Sequence, residues 1–217
     1  MIARPYQEKS INGAARKIFE GKRKICNQLA TGGGKTVIFS SITDRYIKKS
    51  GLSVLIAVHR IELLSQTRKA LFNAFGIEAF LIKAGVRYIP HSQVYVCMVE
   101  SVTNRIKKLA DKNIGMVIID ECHIASFNKL HNFFPTQIIL GFTATPLSSS
   151  KKLPVKMFYE DIVCGVDIPE LIKDGHLCQN MTWAPKETVD RLSLAIKGND
   201  FDDTVMAQNF SNIYPIL

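Results

Sequence analysis

Ile25 to Leu29 reads as a short strand, Thr31 to Gly34 as a glycine turn, and Val37, Ile38, Phe39 and Ile42 as the opening of a helix. A strand, a glycine loop and a helix N-terminus in direct succession admit few folds. Glycines let the backbone curl with its N–H groups turned inward and let it approach an anion closely. The helix start adds unpaired donors and a partial positive charge. The stretch Gln28–Thr36, QLATGGGKT, is therefore a candidate phosphate cradle built from Thr31, Gly32, Gly33 and Gly34. In such a cradle Lys35 reaches the β- and γ-phosphates of a nucleotide, and the Thr36 hydroxyl holds Mg²⁺. The strict pattern asks for a glycine where Leu29 stands. A flexible glycine turn beside a stray lysine is the structural alternative.

The rest of the chain repeats the alternation. A helix with Ile11, Ala14, Ala15, Ile18 and Phe19 on one face precedes the first strand, and Gly21 ends it. Val54–Val58 is an unbroken apolar run, suited to a strand covered on both faces. A helix follows from Ile61 with Leu63, Leu64, Thr67, Leu71 and Phe75 on one stripe. Ala79–Ile82, Val94–Val99, Met116–Ile119 and Gln137–Leu140 read as further strands, with a basic helical stretch at Ser101–Ala110. This pattern predicts an α/β fold with a parallel sheet flanked by helices. In open α/β sheets the ligand crevice lies at the carboxyl ends of the strands. Beyond Leu147 the spacing predicts an exposed turn at Ser148–Lys152, a helix end at Leu171–Gly175, one more strand within His176–Trp183, and a hinge or linker from Pro185.

Those strand ends carry polar chemistry. Met116–Ile119 leads into Asp120 and Glu121. An acid at the end of a buried strand can hold Mg²⁺, usually through its water, and the next acid can polarise the water that attacks a γ-phosphate. A solvated strand end is the alternative for this pair taken alone. Gln7, just after Pro5, can present its amide to an adenine, by analogy with glutamine pairing to N6 and N7 of that base in DNA. A helix-capping glutamine is the alternative there.

Composition narrows the class. The 217 residues are enough for one domain with a good core, at 47% hydrophobic and 22% charged. A net charge of +9 suits a polyanionic partner without proving one. No apolar run approaches a membrane span, and Met1–Ser10 has no signal-peptide pattern. The five cysteines form no C-x-x-C pair, which favours buried free thiols in a reducing cytoplasm over a metal site.

Taken together, ATGGGKT, DECH (Asp120–His123) and GFTATP (Gly141–Pro146) resemble motifs I, II and III of the superfamily 2 helicases and translocases. Val58–Gln66 resembles their motif Ia. Arg4–Gln7 resembles the adenine-reading start of the branch that includes XPB-like and RadD-like proteins and the type I and III restriction motor subunits. The resemblance covers about residues 1–180. It implies a RecA-like ATP-binding domain at residues 1–183, with 184–217 a linker towards a second RecA-like domain. It implies that Arg4 and Gln7 recognise adenine and that Thr31 to Thr36 bind phosphates. Thr36 and Asp120 would hold Mg²⁺, and Lys35, Asp120 and Glu121 would carry catalysis, with Glu121 the base. His123, Thr143 and Thr145 would couple hydrolysis to movement, and His59, Arg60 and Ser101 would lie along nucleic acid. Met98 and Glu100 depart from the family's Thr-x-Gln-Ser, and a carboxylate beside a phosphate track is unfavourable. The implied function is ATP-driven movement on nucleic acid, with a leaning to DNA by resemblance only; a piece of a longer motor is the favoured expectation for the chain, and a stand-alone domain the alternative. An ATP-gated binding module without processive movement is the second reading.

Overall fold

The computed structural model describes residues 3–146 and 154–181, and the backbone of 196–197 and 200–201. The chain divides into two compact units, Met1–Cys178 and Gln179–Leu217. In the second, Ile196–Lys197 pairs antiparallel with Asp200–Phe201. The expected turn at Ser148–Lys152 and most of the expected linker lie outside the described residues.

The first unit opens with α1 (Pro5–Phe19), β1 (Lys24–Gln28), α2 (Lys35–Ser50), β2 (Ser53–Val58) and α3 (Ile61–Phe75). Then come β3 (Ala79–Ile82), β4 (Val94–Met98), the short α4 (Val99–Thr103), β5 (Ile114–Asp120), α5 (Asn128–Phe133) and β6 (Ile138–Thr143). β7 (Asp161–Cys164) and α6 (Ile168–Lys173) close it. The seven strands form one sheet in the order β3-β4-β2-β5-β6-β1-β7. Every pairing in it is parallel. This is a RecA-like arrangement.

The unbroken apolar runs have a simple cause. Alternate side chains of a strand point to opposite faces, and both faces here are covered. Val54, Ile56 and Val58 join the core on one face with Ile38, Phe39, Leu64 and Leu71. Leu55 and Ala57 join the core on the other, with Phe127 and Leu130.

Several expectations are corrected. α1 begins at Pro5, so Gln7 is helical, and Phe19 lies outside the core at 91% exposure. The basic stretch 101–110 is not one helix: α4 stops at Thr103 and a 3-10 turn follows at Ile106–Leu109. The helix ends because Arg105 has φ −127° and ψ 12°, outside the helical region, with its Nη1 donating to the Ser101 carbonyl. β7 was not foreseen, and residues 176–181 contain no strand. Among the cysteines, Cys26, Cys97 and Cys122 are buried free thiols, whereas Cys164 and Cys178 are exposed. No helix among the described residues is long and apolar enough to cross a membrane.

Candidate nucleotide site

The strand order decides which loops meet. β1 lies beside β6, and β6 beside β5, although other strands separate them in sequence. Their carboxyl ends therefore deliver the glycine loop, Asp120–Glu121 and Thr143–Thr145 side by side.

In the loop, Gly32 and Gly34 have φ of +80° and +83°. Gly34 caps α2, so Lys35 and Thr36 are its first residues. A Cβ on Gly34 would stand 2.4 Å from Gln7 Nε2, and one on Gly32 would stand 2.8 Å from Leu177 Cδ2. The loop thus needs glycine both for its handedness and for its neighbours. Leu29, which replaces the expected glycine, is 1% exposed and packs in the core. A Cβ on Gly33 would meet Leu29 Cγ at 2.9 Å, so the leucine supports the underside of the loop.

Gln7 holds the loop from above. Its Nε2 donates to the Gly33 carbonyl at 3.1 Å, and Tyr6 Oη donates to the same oxygen at 3.0 Å. Gln7 Oε1 accepts from the Arg4 backbone N–H at 2.9 Å, in the manner of a helix cap. One lone pair of Oε1 remains for an incoming donor. Gln7 is 5% exposed, while Arg4 is exposed. Tyr6 and His176, which the sequence did not single out, bring their ring centroids within 5.3 Å of each other. The only signal for Tyr6 was an aromatic residue beside the glutamine; for His176 there was none.

Lys35 forms an ion pair with Glu121 Oε1. Glu121 has φ +57°, a left-handed conformation that a residue with a Cβ rarely adopts and that costs about 1–2 kcal/mol. The turn is fixed by Cys122 N–H donating to the Phe142 carbonyl at 3.0 Å and Ile124 N–H to the Glu121 carbonyl at 3.0 Å.

Asp120 is half-buried beside this pair, and its Oδ1, itself buried, has no hydrogen-bond partner among the described residues. Burial, aided by Glu121, pushes its carboxyl above the usual value, and Lys35 and His59 oppose that rise. An unsatisfied buried carboxylate oxygen next to a phosphate loop, with the Thr36 hydroxyl in the first turn of the helix that the loop leads into, is a donor set of hard oxygens that fits Mg²⁺. His59 thus belongs electrostatically with Asp120, and its Nδ1 is buried without a partner among the described residues.

His123 Nδ1 lies 2.9 Å from Thr143 Oγ1 and 3.4 Å from Glu121 Oε2. Thr143 Oγ1 also donates to the Thr145 carbonyl at 3.0 Å and accepts from the Thr145 N–H at 3.0 Å. A hydroxyl has one proton, so when Thr143 donates to the Thr145 carbonyl, Nδ1 is the donor in its contact with Thr143. The Nδ1–H tautomer also suits the nearby Glu121 oxygen. The structure thus joins Lys35, Glu121, His123, Thr143 and Thr145 in one chain of contacts.

Arg60 is exposed at the start of α3, and Ser101 is half-buried within α4. Both sit on the rim formed by the ends of β2 and β4, which adjoins the end of β5 on the β2 side. Glu100 is an exposed acid in the first turn of α4, as its dipole favours. Thr31 is exposed in the glycine turn.

Residues 1–148 match the family described as "Type III restriction enzyme, res subunit". The chain is 31% identical over 218 residues to the Saccharomyces cerevisiae protein IRC3, named as an ATP-dependent helicase, covering 92% of this chain and 31% of that protein. It is 26% identical over 187 residues to an Escherichia coli type I restriction enzyme EcoAI endonuclease subunit, covering 80% of this chain and 23% of the relative. The chain therefore spans a third or less of these two relatives. Among solved structures, a nuclease-deletion mutant of the Type ISP restriction-modification enzyme LlaGI with a DNA substrate mimic aligns at TM-score 0.64 and 18% identity, over 81% of this chain and 21% of that one. The UvsW helicase of bacteriophage T4 aligns at TM-score 0.61 and 19% identity, over 76% of this chain and 60% of that one. At these identities the structural likenesses establish the fold.

Proposed function

We propose, from the premise that this chain belongs to the type III restriction enzyme res-subunit family and is its helicase-like motor domain, that it binds and hydrolyses ATP to drive movement on nucleic acid, DNA in the first instance. The observation that carries this reading is the meeting of Lys35, from the glycine loop, with Glu121 beside the unsatisfied Asp120. A phosphate binder, a metal-binding acid and a second acid at adjacent strand ends are the parts of an NTP-hydrolysing site.

On this reading Gly32, Gly33 and Gly34 and the N-terminus of α2 receive the phosphates. Lys35 exchanges Glu121 for phosphate oxygens. Thr36 and Asp120 would hold Mg²⁺, which neutralises charge on the phosphates when bound. Glu121, released from Lys35, takes the proton of the attacking water. Gln7 offers its free lone pair to the adenine amino group, beside Arg4. His123 relays the state of Glu121 to Thr143 and Thr145. Arg60 and Ser101 lie along the nucleic acid, and His59 stands between that rim and Asp120.

The boundary near residue 183 and the role of 184–217 as a linker towards a second RecA-like domain belong to the proposal. A partner-domain arginine raises related NTPase rates by about 10³–10⁵, so the chain by itself is expected to hydrolyse ATP slowly. Its five free cysteines fit a reducing, cytoplasmic compartment.

The test is ATP hydrolysis with and without single- and double-stranded DNA, beside Lys35→Ala and Glu121→Gln. Slow hydrolysis lost in both variants is the expected result. Nucleotide binding that survives Lys35→Ala unchanged would overturn the site. ATP-dependent DNA retention without directional tracking would favour the ATP-gated module.

A further inference from the structure

The connection from β3 to β4 carries an exposed aromatic ring on an unusually well-tethered loop. Tyr88 is 75% exposed, and Lys83 and Arg87 on the same loop are exposed cations. The loop itself is fixed. Val86 N–H donates to the Lys83 carbonyl at 3.3 Å in a turn where Gly85 takes φ +84°. Ile89, directly after Tyr88, is 3% exposed and anchored in the core. The hydroxyl of buried Tyr95 donates to the Pro90 carbonyl at 3.0 Å.

Two cations of the stretch after α4 serve as props. Lys108 Nζ donates to the Arg87 carbonyl at 2.7 Å. Arg105 Nε donates to the Val86 carbonyl at 2.8 Å while its Nη1 donates to the Ser101 carbonyl at 3.0 Å. One guanidinium thus ties this loop to the Ser101 turn. A single exposed tyrosine needs no explanation by itself. An exposed tyrosine whose loop is held by buried anchors and two cationic side chains is a ring presented at little conformational cost.

The sheet places this loop in line with the rim already described. β3, β4 and β2 are neighbours, and Ile82 pairs with Cys97 while Val58 pairs with Met98. The segments that follow Ile82, Met98 and Val58 therefore leave adjacent strands at nearly one level, and Arg105 holds Val86 of the first to Ser101 of the second. Glu62 and Glu100 stand in the first turns of α3 and α4, whereas residues 83–88 carry Lys83 and Arg87 and no acid.

We propose that Tyr88, flanked by Lys83 and Arg87, is a stacking platform for an unpaired base, extending the nucleic-acid track beyond Arg60 and Ser101. The inference rests on the nucleic-acid reading above. Sequence-tolerant binding of single strands combines stacking aromatics with a basic path for the backbone, and this loop supplies both.

The test is anisotropy titration of the whole chain with a labelled thymine-rich single strand and with a matched duplex, over a range of salt. Tyr88→Ala is expected to weaken single-strand binding by about tenfold, to leave duplex binding unchanged, and to leave the salt slope unaltered. Tyr88→Phe keeps the ring and is expected to bind like the unaltered chain. Arg87→Ala is expected to flatten the slope by about 0.7 for its lost phosphate contact. Matching melting curves establish that the variants are folded. The inference falls if Tyr88→Ala binds single strands normally, if it weakens the duplex equally, or if Tyr88→Phe behaves like Tyr88→Ala. If the unaltered chain binds neither nucleic acid, the nucleic-acid reading falls with it; if only Tyr88 proves irrelevant, that reading stands.

Discussion

Gly34→Ala tests whether Gln7 and the phosphate loop act as one unit. Two costs are separable in the structure. The left-handed φ of +83° penalises any residue with a Cβ by about 1–2 kcal/mol. The new methyl, 2.4 Å from Gln7 Nε2, also displaces the amide from the Gly33 carbonyl, a hydrogen bond worth about 0.5–1.5 kcal/mol. The single variant should therefore lose about 1.5–3.5 kcal/mol of stability. In a Gln7→Ala background the amide is already gone, and the same substitution should cost only about 1–2 kcal/mol. A double-mutant cycle read by chemical denaturation should show a coupling of about 1 kcal/mol, outside the few tenths expected of independent sites. Nucleotide affinity should fall in all three variants, and least for Gln7→Ala. Strictly additive costs would refute the bracket, and would mean that Gln7 and the loop are neighbours without being coupled.

Three further outcomes follow from the same contacts. His131 is buried against Phe158 and Tyr159, and burial, with the charge of Lys24, pushes its imidazole down to about 4 from an ordinary 6.5. The folded state then refuses a proton that the unfolded chain accepts, so stability is full above pH 6.5 and declines by roughly 3 kcal/mol as pH falls towards 4; denaturation midpoints across that window should fall, and His131→Phe should flatten them. Gly141→Ala would set a Cβ 2.3 Å from Tyr159 Oη and 2.7 Å from Cys122 Sγ, an overpacking expected to cost about 1–3 kcal/mol in thermal or chemical denaturation. Asp120→Asn should remove the Mg²⁺ dependence of ATP binding while leaving metal-free binding, measured in chelator, close to normal; equal loss in both conditions would assign Asp120 to folding.

Much of this architecture was legible because the central strands of the parallel sheet are buried on both faces. Val54–Val58 and Met116–Ile119 advertise themselves as apolar runs, and the polar residues that follow them stand at the strand ends where ligands bind. What escaped reading depends on contacts between distant segments. The burial of Gln7 is set by the Gly33 carbonyl, and the position of His176 by the turn after α6, where both His176 and Leu177 N–H groups donate to the Leu171 carbonyl. Neither leaves a periodic trace. β7 was missed because its burial alternates weakly at the sheet edge, with Ile162 41% exposed. Arg105 and Lys108 read as a basic helical patch, yet their charges are spent on loop carbonyls, which composition has no means to reveal.

Such partner choices also bear on how a nucleotide would be sensed. Lys35 neutralises Glu121 on one carboxylate oxygen, while the other faces His123. On the proposed reading a phosphate competes for Lys35, and Glu121 gains negative charge as it is released. That charge has one adjoining donor already in place, the Nδ1–H of His123, which is shared with Thr143. Strengthening the His123–Glu121 contact weakens the His123–Thr143 one, because a single proton serves both acceptors. Thr143 in turn closes the tight turn to Thr145 through two hydrogen bonds. On that reading phosphate occupancy would reach the end of β6 by exchange of partners. The relay requires a ring that donates at Nδ1. His123→Gln, which keeps a donor, should preserve the link between phosphate binding and the Thr143 turn; His123→Leu should leave ATP affinity intact while uncoupling hydrolysis from nucleic-acid stimulation. A His123→Leu variant that retained full stimulation would place the coupling elsewhere.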